Sequence, residues 1–169
     1  MQWRSRPVRP VNDKAVNDKA VARRIRRSAR ILLTDGSERL LLFRYAPQNR
    51  PPFWCAPGGE CDPGEDFATA ARRELFEETG LDTDPGPEIA RRADDYVTLE
   101  GEPITSDERF YRVWVAALNV DTSGQTELER RMQMEPRWFT FAEVREWHEP
   151  IFPDTILDLV ALDTTGDTA

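Results

Sequence analysis

The chain has 169 residues, a net charge of −8 and 39% hydrophobic residues, enough for one domain with a real core. No apolar run approaches the roughly 18 residues of a membrane span. The first thirty residues lack the apolar stretch of a secretory signal, so a cytoplasmic location with no membrane partner is the default expectation. With one histidine and two cysteines, Ser–His, Cys–His and multi-histidine metal chemistry have almost no material. Carboxylates plus a metal are the best-furnished option.

Charge divides the chain unevenly. Residues 1–30 hold ten Arg or Lys against two Asp, and residues 31–169 hold 13 Arg against 29 Asp or Glu. Residues 1–24, with the tandem repeat "VNDKAVNDKA", read as a basic, flexible arm of low complexity. Nucleic-acid binding by this arm is not expected, because a solvated tail or a first strand edged with arginine accounts for it. The single folded domain is then 25–163, with 164–169 a frayed tail.

"RSARILL" (27–33) and "RLLLFR" (39–44) are rich in branched and aromatic residues around "TDGSE", which predicts a β-hairpin. "APQNRPPF" is a Pro-rich loop. "WCAPGGECDPGED" is too rich in Gly and Pro for a regular element and leads into a helix. Its cysteines, Cys55 and Cys61, match no zinc spacing and read as free thiols. Asp66 is the natural cap of the helix, which runs to about Thr79, with Gly80 ending it. "IARRADDYVTL" (89–99) and "RFYRVWVAALNV" (109–120) read as strands. The polar "EGEPITSDE" (100–108) between them reads as a mobile connection. "PRWFTF" (136–141) is a last short strand, and "FAEVREW" and "DTILDLVAL" are helical. Strands interleaved with helices predict an α/β domain with helices packed on a mixed sheet.

The segment "RRELFEETG" (72–80) carries the chemistry. On a helix, Glu74, Glu77 and Glu78 fall within roughly 100° of arc. They continue a small and apolar stripe of Phe67, Ala70 and Ala71, the side a helix normally buries. Like charges so close cost stability, and unpaired carboxylates on a buried face cost more. A divalent cation with oxygen ligands would compensate them. Arginine pairing or plain solvent exposure would do so without any ligand.

The stretch 59–81, "GECDPGEDFATAARRELFEETGL", resembles the Nudix box. Gly59, Glu65, Arg73, Glu74, Leu75, Glu77, Glu78, Gly80 and Leu81 occupy its nine defined positions. "WCAPGG" before it and "EPRWFTFAEV" after it resemble the usual flanks. The resemblance implies a Nudix-type α/β/α sandwich with a mixed sheet. It also implies Mg²⁺- or Mn²⁺-dependent hydrolysis of the pyrophosphate linkage in a nucleoside diphosphate linked to X, a small-molecule nucleotide. Carried over residue by residue, Glu74, Glu77 and Glu78 match the metal ligands and catalytic carboxylates, and Gly58 a backbone carbonyl ligand. Glu65 and Arg73 match a loop-to-helix tie, or in the case of Arg73 a purely structural residue. Gly59 and Gly80 match scaffold positions.

Outside the box the sequence says less. Glu108, with Asp107, is a candidate general base on the connection 100–108, solvation being the plainer account of each. Arg44 is a candidate phosphate contact, or a surface arginine. Tyr45, Phe53, Tyr111 and Trp138 could stack on a base, though core packing explains them better. Tyr96 stands where ADP-ribose members often carry a proline, and it loosely resembles the tyrosine of dinucleoside-polyphosphate members. A nucleoside triphosphate, an oxidised deoxynucleoside triphosphate and a dinucleoside polyphosphate all stay open as substrates, as does a monomer or a homodimer. A non-catalytic nucleotide sensor or interaction module is the rival, although such domains typically lose box glutamates. An isopentenyl diphosphate isomerase would need a histidine-rich site, which one histidine does not supply.

Overall fold

The computed structural model describes residues 23–98, 100–132 and 134–162. The expected arm, apart from its last residues, and the expected tail lie outside them. β1 (Arg24–Asp35) and β2 (Arg39–Tyr45) form the predicted hairpin. Asp35 closes its turn by accepting from Ser37 N (2.9 Å) and Arg39 N (3.1 Å) and pairing with the Arg39 side chain. β1 starts earlier than the hydrophobic pattern shows. Half of the ten cations counted in residues 1–30 (Arg23, Arg24, Arg26, Arg27 and Arg30) therefore belong to this strand or its immediate start. Arg24 and Arg26 pair with Glu60, Arg24 also with Glu102, Arg23 with Asp95 and Arg30 with Glu108. The first strand is edged with arginine, and the acidic body supplies its counter-charges.

Two short strands, β3 (Phe53–Cys55) and β4 (Gly58–Glu60), lie where Gly and Pro content predicts irregular chain. Pairing with neighbours overrides local propensity here: β3 lies on β2, and β4 lies on β1 opposite Ser28–Arg30. The predicted helix follows as α1 (Phe67–Thr79). Asp66 caps it by accepting from Thr69 N, and Gly80, at φ 75°, ends it in the left-handed conformation. Phe67 at its start is held between the guanidiniums of Arg27 and Arg109, 4.3 and 4.6 Å from the ring centroid.

The predicted strand 89–99 is divided into β5 (Glu88–Arg92) and β6 (Asp95–Val97). The break falls at Ala93–Asp94, where Asp94 exchanges bonds with Ser106. The mobile connection expected at 100–108 is largely strand: β7 runs from Pro103 to Val115 and lies parallel to β1 from Arg24↔Ile104 to Asp35↔Val115. Its charged residues hide the pattern. Ile104, Ser106 and Phe110 alternate inward and are buried, and β1 satisfies the backbone. The strand expected at 109–120 accordingly ends at Val115. The remaining elements are α2 (Glu127–Arg131), β8 (Glu135–Thr140), α3 (Phe141–Glu146), β9 (Ile151–Phe152) and α4 (Ile156–Val160), of which α2 and β9 were not among the expected elements.

The mixed sheet runs β5-β7-β1-β2-β3-β9, with β4, β6 and β8 paired to β1, β7 and β2. Along β2 the side chains alternate between two cores. Leu41, Phe43 and Tyr45 pack with Ala70, Ala71 and Leu75 of α1, whereas Leu40 and Leu42 pack with Ile156 and Val160 of α4. Helices on both faces of a mixed sheet make the α/β/α sandwich. Among the described residues no helix is long and apolar enough to cross a membrane. Ala70 and Ala71, both fully buried, let α1 approach the sheet closely. Ala71→Leu is expected to lower stability by about 1–3 kcal/mol through overpacking at this contact, measured by urea unfolding.

Candidate active site

The close approach of α1 brings the acidic turn that follows Ala71 against β4. Glu78 is 1% exposed, and its Oε2 accepts a 2.8 Å bond from Gly58 N. Its Oε1 is buried with no hydrogen-bond partner among the described residues. Burial, reinforced by the charge of Glu74, pushes the Glu78 carboxyl well above the usual carboxylate range, while the Gly58 N–H and the Arg30 charge pull the other way. Glu74 is also buried, and burial raises its pKa against the opposing effect of Arg73. It occupies the space a side chain on Gly59 would need, since a Cβ there would lie 2.5 Å from Glu74 Oε1.

Arg73 ties this helix to the loop before it. Its Nε and Nη2 donate to the two oxygens of Glu65 (3.0 and 2.9 Å), and Nη2 also donates to the Glu60 carbonyl (3.1 Å). Its Nη1 donates to Glu74 Oε1 (2.7 Å) and Glu77 Oε2 (3.2 Å). Glu65 is consequently held below the ordinary glutamate value, first by these Arg73 bonds. Glu77 stands apart from the buried pair, with its side chain 38% exposed.

A third carboxylate joins the pair from elsewhere. Glu129 on α2 offers an oxygen that, with one each from Glu74 and Glu78, forms a set all within 4.8 Å of one another. The segment 121–126 carries α2 there. Asp121 N donates to Thr79 O (3.0 Å), and a Cβ at Gly124 would lie 2.5 Å from Glu77 O, so a bare glycine permits the approach. Thr126 and Glu129 form a capping box. That box is the one signal in the sequence that marks this helix, and it says nothing about which carboxylates α2 will meet.

The other candidates are placed differently. Glu108 lies on β7 rather than on a loop, and it pairs with Arg30 at 3.2 Å, the two side chains 17% and 15% exposed. Arg30 is a residue that sequence reasoning missed: its Nη1 donates to the Gly58 carbonyl at 2.9 Å. Asp107 pairs with Arg109 (2.8 Å). Arg44 forms a two-pronged pair with Glu149 (2.9 and 2.6 Å), whose carboxyl also accepts from Trp54 Nε1 (2.7 Å). Those bonds, the Arg44 bond foremost, hold Glu149 down at about 2. The Tyr96 hydroxyl accepts from Arg26 Nη1 (2.9 Å). Tyr45 and Tyr111 are buried, Phe53 stacks on Tyr45 at 5.3 Å, and Trp138 packs at the rim of the α1-side core.

Converging carboxylate oxygens, one of them buried without a donor among the described residues, fit a hard divalent cation by ligand type. The NUDIX domain family model matches residues 24–159. The chain is 30% identical over 131 residues to an RNA pyrophosphohydrolase of Caulobacter vibrioides (strain NA1000 / CB15N), a match covering 73% of this chain and 74% of that one. Its fold resembles a MutT protein of Methanosarcina mazei Go1, with TM-score 0.57 and 20% identity, covering 83% of this chain and 93% of that one. It also resembles a NUDIX hydrolase of Nitrosomonas europaea, with TM-score 0.58 and 19% identity, covering 81% and 86%. The chain belongs to the Nudix family. Within it, the chain is a pyrophosphohydrolase, an enzyme that cleaves phosphoric anhydrides.

The raised Glu78 gives a signed test. A carboxyl whose folded pKa lies above its unfolded value adds relative stability at low pH, and that stability is lost as pH rises through the folded value. Without divalent cation, Glu78→Gln is expected to melt at or above the wild-type temperature at about pH 8, the difference shrinking toward about pH 4. A variant clearly less stable than wild type at the higher pH, by thermal melts in EDTA, would refute this account.

Proposed function

We propose that this Nudix enzyme hydrolyses the pyrophosphate linkage of a triphosphate-bearing nucleotide in a reaction dependent on Mg²⁺ or Mn²⁺. The observation that carries the metal is the convergence of Glu74, Glu78 and Glu129 around the unpartnered Glu78 Oε1. The named activity of the Caulobacter relative, RNA pyrophosphohydrolase, supports the 5′-triphosphate end of an RNA as the first substrate to try, beside free nucleoside triphosphates. That adds an RNA terminus to the substrates that the sequence alone left open.

Glu74, Glu78 and Glu129 would hold the cation, with the Gly58 carbonyl beside them. The chemistry that a cation held by these residues would supply is positive charge at the diphosphate oxygens, which would favour in-line attack by water at phosphorus. Glu77 is less buried, and its Oε1 takes no bond from Arg73. It is the group we assign to receive the proton of the attacking water at that oxygen. Glu108 is committed to Arg30, so its part in the reaction is indirect. Arg73 keeps Glu77 and Glu74 oriented and ties them to Glu65. Arg44 and Tyr96, bonded to Glu149 and Arg26, would reach a substrate only by giving up those bonds.

The test is phosphate and pyrophosphate release from 5′-triphosphate RNA, nucleoside triphosphates, 8-oxo-dGTP and a diadenosine polyphosphate, with Mg²⁺, Mn²⁺ or EDTA. Metal-dependent cleavage of a triphosphate end is expected. Nucleotide binding without hydrolysis under any metal would favour a sensor instead. Glu77→Gln should lower kcat by about 10²–10⁴-fold, the usual range for loss of a general base. Glu129→Gln should instead raise the metal concentration giving half-maximal rate.

A further inference from the structure

We propose that Arg30 is a positioning residue of this site: it fixes the Gly58 carbonyl and, through the backbone of that residue, the N–H that holds the carboxylate of Glu78. This rests on the cation-site reading above and names a determinant that the Nudix box does not contain.

The geometry begins with the way the sheet opens. β1 meets β2 at the rung Thr34↔Leu40, and β4 lies beside β1 at Ser28–Arg30. The segment 56–58 is pressed on β1, with Ile31 N donating to Pro57 O at 2.9 Å. Gly58 has φ 133°, and a Cβ there would lie 2.0 Å from Ala29 O. No other residue type fits, so the glycine itself has no side chain with which to anchor its position. The anchors come from outside. Arg30 Nη1 donates to Gly58 O (2.9 Å), and Gly58 N donates to Glu78 Oε2 (2.8 Å).

Glu108 completes the line. It accepts from Arg30 Nε at 3.2 Å, which sets the plane of the guanidinium. The polar chain Glu108–Arg30–Gly58–Glu78 thus crosses β7, β1, β4 and α1. The Arg30 and Glu108 side chains are largely enclosed rather than fully buried, and a guanidinium so placed is held by such partners, so that removing one end leaves a poorly solvated charge uncompensated. A carbonyl oxygen carries two lone pairs. The bond from Arg30 takes one and leaves the other for a cation. Arg30 therefore orients the Gly58 carbonyl without blocking it, in the way that outer partners orient metal ligands generally.

The test uses the full chain and Mn²⁺ alone, with free Mn²⁺ read by electron paramagnetic resonance and no nucleotide present. Arg30→Met is expected to weaken Mn²⁺ binding about 10- to 100-fold, the usual loss when an outer partner of a metal ligand is removed. Glu108→Gln should weaken it less. Arg30→Lys should restore part of it, because one ammonium cannot reproduce the fork that spans Gly58 and Glu108. At saturating Mn²⁺, KM should stay within about threefold of wild type while kcat falls, the pattern of lost transition-state interactions. Unchanged Mn²⁺ affinity in a folded Arg30→Met protein overturns the proposal. So does a large rise in KM with unchanged Mn²⁺ affinity, which would assign Arg30 to the substrate. If Arg30→Met does not fold, Arg30→Lys and Glu108→Gln decide, and wild-type Mn²⁺ affinity in both overturns it. A wild-type chain that binds no Mn²⁺ removes the cation-site reading and this proposal together, which is distinguishable from failure of the variants alone.

Discussion

A carboxylate buried against a backbone N–H is the constraint on which this structure turns. Glu78 is almost fully enclosed and, among the described residues, has one bond, from Gly58 N. A charge in that position is costly in an apolar setting, and much of the local sequence makes the position attainable. Ala70 and Ala71 let α1 lie close to the sheet, and Gly59 leaves room for Glu74. Gly124 lets the loop before α2 touch the backbone of α1 at Glu77. Each is a small residue where a larger one would push a carboxylate away. The enzyme keeps its acidic cluster close-packed at the expense of the stability an apolar contact would give.

Arginine is the second organising element. The chain holds two lysines and 21 arginines, and several of those arginines span elements rather than decorate a surface. Arg73 joins Glu65, Glu74 and Glu77, Arg30 joins Glu108 to Gly58, and Arg44 joins β2 to Glu149. The planar guanidinium, with five donors, suits such bridging better than an ammonium. Exposed pairs such as Arg72–Asp82 contribute little by comparison, since water and salt screen them. The uneven charge along the chain therefore reflects internal pairing in large part: arginines of β1 meet acids that lie on β4, β7 and the turn before β7.

The fold was legible where the information is local. The hairpin, the Asp66 cap, the extent of α1 and its Gly80 end depend on residues within a few positions of one another. β7 was not legible along its first half, because its partner β1 is remote in sequence and its outward residues are charged. β3 and β4 were hidden for a related reason. Their Gly and Pro content argues against strand, and only the waiting edges of β2 and β1 make them pair. Arg30 looks like one more arginine in a basic stretch, because its contacts with Glu108 and the Gly58 carbonyl are what distinguish it, and those are a property of the assembled sheet.

The sequence by itself determined the family and the helix that carries Glu74, Glu77 and Glu78, because nine positions at fixed spacing and a 3.6-residue repeat are both written along the chain. Tertiary structure alone decided which carboxylates meet. Glu74 and Glu78 are joined by Glu129, Glu77 is turned toward Arg73, and Glu108 is drawn to Arg30. Spacing along a helix fixes direction, but convergence on one point depends on distances between elements. Those distances were set by the packing of Ala70, Ala71 and Gly124 against backbone that lies far away in sequence or in another element.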